Sequence, residues 1–134
     1  MGNITHIIED EEHTIWAITP KGLFYYNYQA DTFLQARDED QTPVVVSSIC
    51  PWTDGVVFGG NGRLYKYEYA NHKIRFLCPL TSNSHYNITN LQKWDGRTLL
   101  CTSRWSHALL VAMPPGRTRP VPFESIEIIA SLID

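Results

Sequence analysis

The chain has 134 residues, of which 43% are apolar, so it is long enough for one domain with a buried core. Its formal charge is −3, with 11 basic and 14 acidic residues scattered along it, which argues against a nucleic-acid partner. No stretch approaches the roughly 20 apolar residues of a membrane-spanning helix, and the start lacks the basic and apolar runs of a secretory leader. Seven Tyr, five Phe and four Trp against two Met favour sheet over helix. Cys50, Cys78 and Cys101 form no C-x-x-C pair. They read as ordinary thiols, with one disulfide left open as an alternative.

Ile4, Ile7 and Ile8 open a first predicted strand, followed by Glu9-Asp10-Glu11-Glu12, which reads as a solvated turn. Residues 15–19, Ile-Trp-Ala-Ile-Thr, form a short run of β-formers. Pro20-Lys21-Gly22 breaks it, with Gly22 free to take positive φ. Strands are predicted over 23–28 and 32–36, and 37–42 is a polar linking loop. The apolar run 44–50 then reads as a buried strand, and 51–55 as a turn. Residues 56–59 and 64–69 flank Gly60-Asn61-Gly62, whose Asn-Gly pair is a sharp hairpin signal. Residues 74–77 alternate again, and 79–86 form a polar loop. Strands follow over 88–94, 98–102 and 108–113, with Asp95-Gly96 as a turn. Pro114, Pro115, Pro120 and Pro122 break the next stretch, and 125–133 is assigned as strand.

The chain repeats itself. Leu23 to Leu64, Ile8 to Ile49 and Gly55 to Gly96 are each 41 residues apart, and Ile49 to Leu91 is 42. Four short strands per period of this length are the mark of propeller blades, small twisted sheets whose faces pack on their neighbours. The expected fold is all-β, a partial β-propeller of about three four-stranded antiparallel blades plus one extra strand. The blades are expected near 3–42, 43–84 and 85–128, with 129–134 starting another. Three blades do not close a ring. The uncovered faces predict either further blades of a larger protein or association with copies of this chain.

Ile7-Ile8-Glu9-Asp10, Ile15-Trp16-Ala17-Ile18-Thr19 and Gly22-Leu23-Phe24-Tyr25-Tyr26 together resemble the two-component-regulator propeller repeat. His13-Thr14 stands where that repeat usually has a turn glycine, and Val57 and Leu99 replace its tryptophan in the later blades. The resemblance implies a periplasmic sensing segment of a bacterial hybrid histidine kinase. That segment would detect carbohydrate breakdown products and signal through dimer rearrangement. On that basis the segment is expected to be non-catalytic and to need no cofactor. Its partners would be an oligosaccharide, the other blades or a second copy, with no membrane contact. The alternatives are a protein-interaction propeller scaffold and a sugar-active propeller enzyme.

Function in this architecture sits on the loops that join strands. The candidate contact residues are Trp52, Trp94, Tyr86, His85, Arg104, Trp105 and His107. Trp and Tyr can stack on sugar rings, and Arg or His can bond hydroxyls and carboxylates. Arg104 to His107 is favoured because it lengthens the third repeat, Leu64 to Leu109 being 45 residues. Trp52 and Trp94 recur before Asp-Gly turns, which suits packing between blades. No Gly-x-Ser-x-Gly elbow and no His spacing for a metal is present. The Gly59-Gly60-Asn61-Gly62 run joins two strands and so lacks the helix N-terminus of a phosphate loop.

Overall fold

The computed structural model describes residues 2–79, 88–103 and 108–113, and their regular structure is entirely β. The first sheet holds β1 (His6–Glu9), β2 (Ile15–Thr19), β3 (Gly22–Asn27) and β4 (Thr32–Gln35). The second holds β5 (Ser48–Trp52), β6 (Gly55–Gly60), β7 (Arg63–Glu68) and β8 (Lys73–Pro79). The third holds β9 (Ile88–Asp95), β10 (Thr98–Ser103) and β11 (Ala108–Ala112). Within each sheet every strand pairs antiparallel with the next in sequence. These are blades of a partial propeller, as the repeat predicts.

Local chemistry sets the turns. Thr19 Oγ1 accepts from the Lys21 N–H at 3.1 Å, closing the β2–β3 turn. Gly22 follows at φ 136°, with the Val44 carbonyl so near that a Cβ would sit 2.9 Å from it. Asn61 and Gly62 both take positive φ, 52° and 72°, the pattern of the tight hairpin that suits twisted strands. His13 takes φ 67°, a left-handed turn conformation that non-glycine residues seldom adopt.

The core lies in two seams rather than one centre. Strand alternation sends Trp16, Ile18 and Leu23 of the first blade against Val56, Phe58 and Tyr65 of the second. The intervening residues of the second blade, Cys50, Val57 and Leu64, pack instead on Leu91, Leu99 and Cys101 of the third. Every residue of β6 is therefore buried, because it has a neighbour on both faces. Aromatic rings knit the first seam. Trp16 stands edge-on to Phe58 at 5.1 Å and to Tyr67 at 4.9 Å between ring centres.

Three expectations are corrected. Residues 44–46 are not part of a strand, because Val44 is spent on the crossing between blades. Its N–H donates to the Ala36 carbonyl, and its own carbonyl accepts from the Leu23 N–H. The strand starts later, at Ser48, and Pro51 and Trp52 belong to it rather than to a turn. The acidic run is not wholly solvated either: Asp10 is 6% exposed, held there by three N–H donors. The strand expected over 125–133 lies outside the described residues, as does the start of a further blade at 129–134.

Candidate functional site

The loop 37–42, expected to be a plain link, folds into a hairpin that leans across the first seam. Arg37 bridges to Pro43, and Asp38 forms a parallel bridge to Ile74 at the start of β8. The hairpin is tied by its own side chains. Asp38 Oδ1 accepts from the N–H groups of Asp40 and Thr42, and Arg37 Nη1 donates to the Gln41 carbonyl at 2.9 Å. Gln41 sits at φ 64° to close it.

This hairpin walls a groove of about 720 Å³. The opposite walls are the β1–β2 turn at 12–14, the end of β3 with the turn after it at 25–29, and the β7–β8 turn at 72–74. Trp16, Tyr25 and Tyr67 form the floor, with Trp16 buried and the two tyrosines half-buried. Three residues of the rim, His13, Gln41 and His72, hold left-handed backbone at φ 67°, 64° and 57°. Non-glycine residues at such angles cost energy and mark turns that the surrounding contacts over-determine.

Asp10 supports the floor from behind. Its Oδ2 accepts from Trp16 Nε1 at 2.9 Å, and its Oδ1 accepts from the N–H groups of Glu12 and Thr14, each at 2.9 Å. One carboxylate thus fixes both the indole and the turn that carries Glu12 and His13. Tyr69 is bound to the same turn, its hydroxyl accepting from the Glu11 N–H at 3.1 Å. The Tyr67 phenol is pushed up to about 12, first by burial and then by the Glu12 and Asp10 carboxylates. Burial likewise raises Tyr69.

The residues anticipated from sequence fall elsewhere. Tyr86, His85, Arg104, Trp105 and His107 lie outside the described residues. Trp52 is 7% exposed and packs in the second seam, with the Lys93 ammonium 5.2 Å from its ring centre. Trp94 is 49% exposed and is the unpaired residue of a bulge, since Thr98 pairs with Asp95 but Leu99 with Lys93. Neither Trp52 nor Trp94 lines the groove. The groove residues escaped notice because its wall comes from a stretch that looks like an ordinary charged linker. The usable signal was the pairing of Asp10 with a tryptophan six residues on.

A second polar group lies on the other face of the second blade. Lys66, almost fully buried, meets Asp54 Oδ1 at 2.7 Å, and Arg75 Nε lies 3.4 Å from Glu68 Oε1. Arg75 and Glu68 are both largely buried, whereas Lys66 reaches out to an Asp54 carboxylate that is half exposed. Among the described residues, no three His, Cys, Asp or Glu side chains gather to hold a metal ion.

Antiparallel blades stacked through their faces define a β-propeller segment. The chain is similar to the solved beta-propeller domain of Myceliophteria thermophila Cps50 (Swd1), with a TM-score of 0.58 and 9% sequence identity. The likeness covers 94% of this chain and 40% of that one, so the chain spans well under half the length of its neighbour. At this identity the likeness concerns the fold. No protein-family profile matches the chain, and no curated protein matches it.

Proposed function

We propose that this chain is a non-catalytic recognition segment whose first seam takes up an extended stretch of a partner protein. The observation that carries the reading is the groove of about 720 Å³, floored by tyrosine rings and rimmed by turns held in strained backbone. Tyrosine supplies large contact area at small entropic cost and a hydroxyl at its tip, the chemistry of recognition surfaces. A scaffold role also suits the architecture, since a blade stack presents rigid walls and leaves variation to loops.

An unbiased displayed peptide library, selected on the full 134-residue chain, tests the reading. Peptides should emerge whose binding falls at least about tenfold with Tyr25→Ala and is untouched by Trp94→Ala. Failure to obtain any groove-dependent peptide overturns it.

The likeness of 7–26 to the two-component-regulator repeat supports a second reading, a periplasmic sensing segment for carbohydrate fragments. Tyrosine faces stack on sugar rings as readily as on side chains. Such a sensor would need its ligand to favour one arrangement of the seam over another. Calorimetric titration with oligosaccharides separates the two readings: heat that vanishes with Tyr25→Ala favours the sugar.

A further inference from the structure

We infer that the groove is selective for a basic side chain, a lysine or arginine of the partner segment, set against the Tyr25 and Tyr67 rings with the Glu12 carboxylate as its counter-ion. This rests on the partner-docking reading and names the chemistry of what docks. The feature that carries it is the cavity, and its charge and ring faces decide the occupant.

Three carboxylates line the groove, those of Glu12, Asp38 and Glu39, and Asp10 lies directly behind the floor. Two side chains of full positive charge line it, Arg37 and Lys73. Arg37 donates to the Gln41 carbonyl, which orients its guanidinium and leaves its charge in place, so three carboxylates against two cations leave the lining one net negative charge, to which Asp10 adds from behind. Among the described residues, neither Glu12 nor Asp10 has a lysine or arginine within ion-pair distance. His13 points its Nδ1 at Glu9 Oε2, 3.2 Å away. The two carboxylates therefore act together on the floor, and their influence is felt at Tyr67. A cation is the group this field attracts, and an acidic partner segment would be repelled.

The rings agree with the charge. The face of a tyrosine is the negative side of its quadrupole and attracts an ammonium or guanidinium. Tyr25 and Tyr67 are half-buried, so a side chain laid on them is partly desolvated, which strengthens that attraction. The long methylene stem of lysine or arginine suits such a slot, burying its carbons on the rings and placing its charge at the rim.

The displayed-library selection provides the test, now by the composition of its groove-dependent peptides. They should share a Lys or Arg. Replacing that residue by norleucine, or introducing Glu12→Gln, should each weaken binding about tenfold or more. Glu12 is exposed and its backbone, not its carboxylate, takes part in the turn, so E12Q keeps the fold. Binding should also weaken as salt is raised. Groove-dependent peptides without Lys or Arg, or basic peptides indifferent to E12Q, overturn this inference and leave partner docking standing. A library with no groove-dependent member removes docking itself, and an oligosaccharide binder in its place assigns the groove to sugar.

Discussion

At the scale of single residues, Asp10 is the side chain on which the first blade turns. It accepts three N–H groups, two from backbone and one from the Trp16 indole, and it does so while nearly buried. Removing it leaves those donors without a partner in a site that water reaches poorly. Asp10→Ala should therefore lower stability by about 2–3 kcal/mol, read as a shift of the urea midpoint at unchanged slope. Asp10→Asn keeps an oxygen for the backbone donors but turns an amide N–H toward the indole, so it should fall between the two. An Asp10→Ala chain as stable as the parent would show the three bonds to be incidental. Tyr67 gives a second residue-level test. Its phenol is raised to about 12 in the fold against an ordinary 10.0. The neutral form is favoured on folding, so this stability is complete below pH 10 and is lost as pH rises toward 12. Tyr67→Phe should remove the part of the alkaline stability loss that falls in that window. One phenol that ionises near pH 12 should also vanish from the ultraviolet phenolate titration. The sequence showed the Ile-acidic pair and the tryptophan but not their bond. A run of four acidic residues looks like solvent-facing charge, and only the fold reveals that the second of them turns inward.

At the scale of elements, glycines at equivalent points of the repeat serve unequal ends. Gly55 and Gly96 lie 41 residues apart, each opening the run of a second strand. A Cβ at Gly55 would overlap the Tyr67 carbonyl oxygen across the β6–β7 ladder, whereas one at Gly96 would meet nothing within 4 Å. Gly55→Ala should cost roughly 3 kcal/mol or prevent folding, because backbone cannot move aside as a flexible side chain can. Gly96→Ala should stay within about 0.5 kcal/mol of the parent. Thermal unfolding of the two variants side by side checks this, and equal melting temperatures would refute it. The strands themselves were largely legible, since runs such as 15–19 carry β-branched and aromatic residues between turn formers. The crossing at 44–46 was not. Val44, Val45 and Val46 look like any buried strand, yet Val44 N–H and C=O are used by Ala36 and Leu23 of the preceding blade. Nor was the bulge at Trp94, because one extra residue leaves the apolar pattern almost unchanged. The 37–43 hairpin hid for a similar reason. Charged residues in a link give no hint that Asp38 will cap its own turn and pair with Ile74.

At the scale of the whole molecule, stability resides in seams, so each blade face needs a neighbour. The middle blade has one on both sides, as the complete burial of β6 records. Among the described residues, the first blade has one on a single side. Its far face carries Phe24, Tyr26 and Phe33, with Tyr26 edge-on to Phe33 at 5.4 Å. Ile7 shares that face, being paired with Ala17, and is 57% exposed. A continuous strip of large apolar side chains of this kind draws a second surface onto itself. In solution the chain is expected to associate, and light scattering should return a mass well above the 15.4 kDa of one copy. Ile7→Lys places a charge at the most exposed point of the strip without touching either seam. It should weaken association about tenfold or more while leaving the melting temperature of the dissociated chain nearly unchanged. The groove offers an internal control, because Ile7 is not among its lining residues, although Tyr26 belongs to both surfaces. Peptide binding should survive Ile7→Lys, and self-association should survive Glu12→Gln. A chain that stays monomeric at every concentration would mean that the strip is covered from within, and the blade count would then have to be raised.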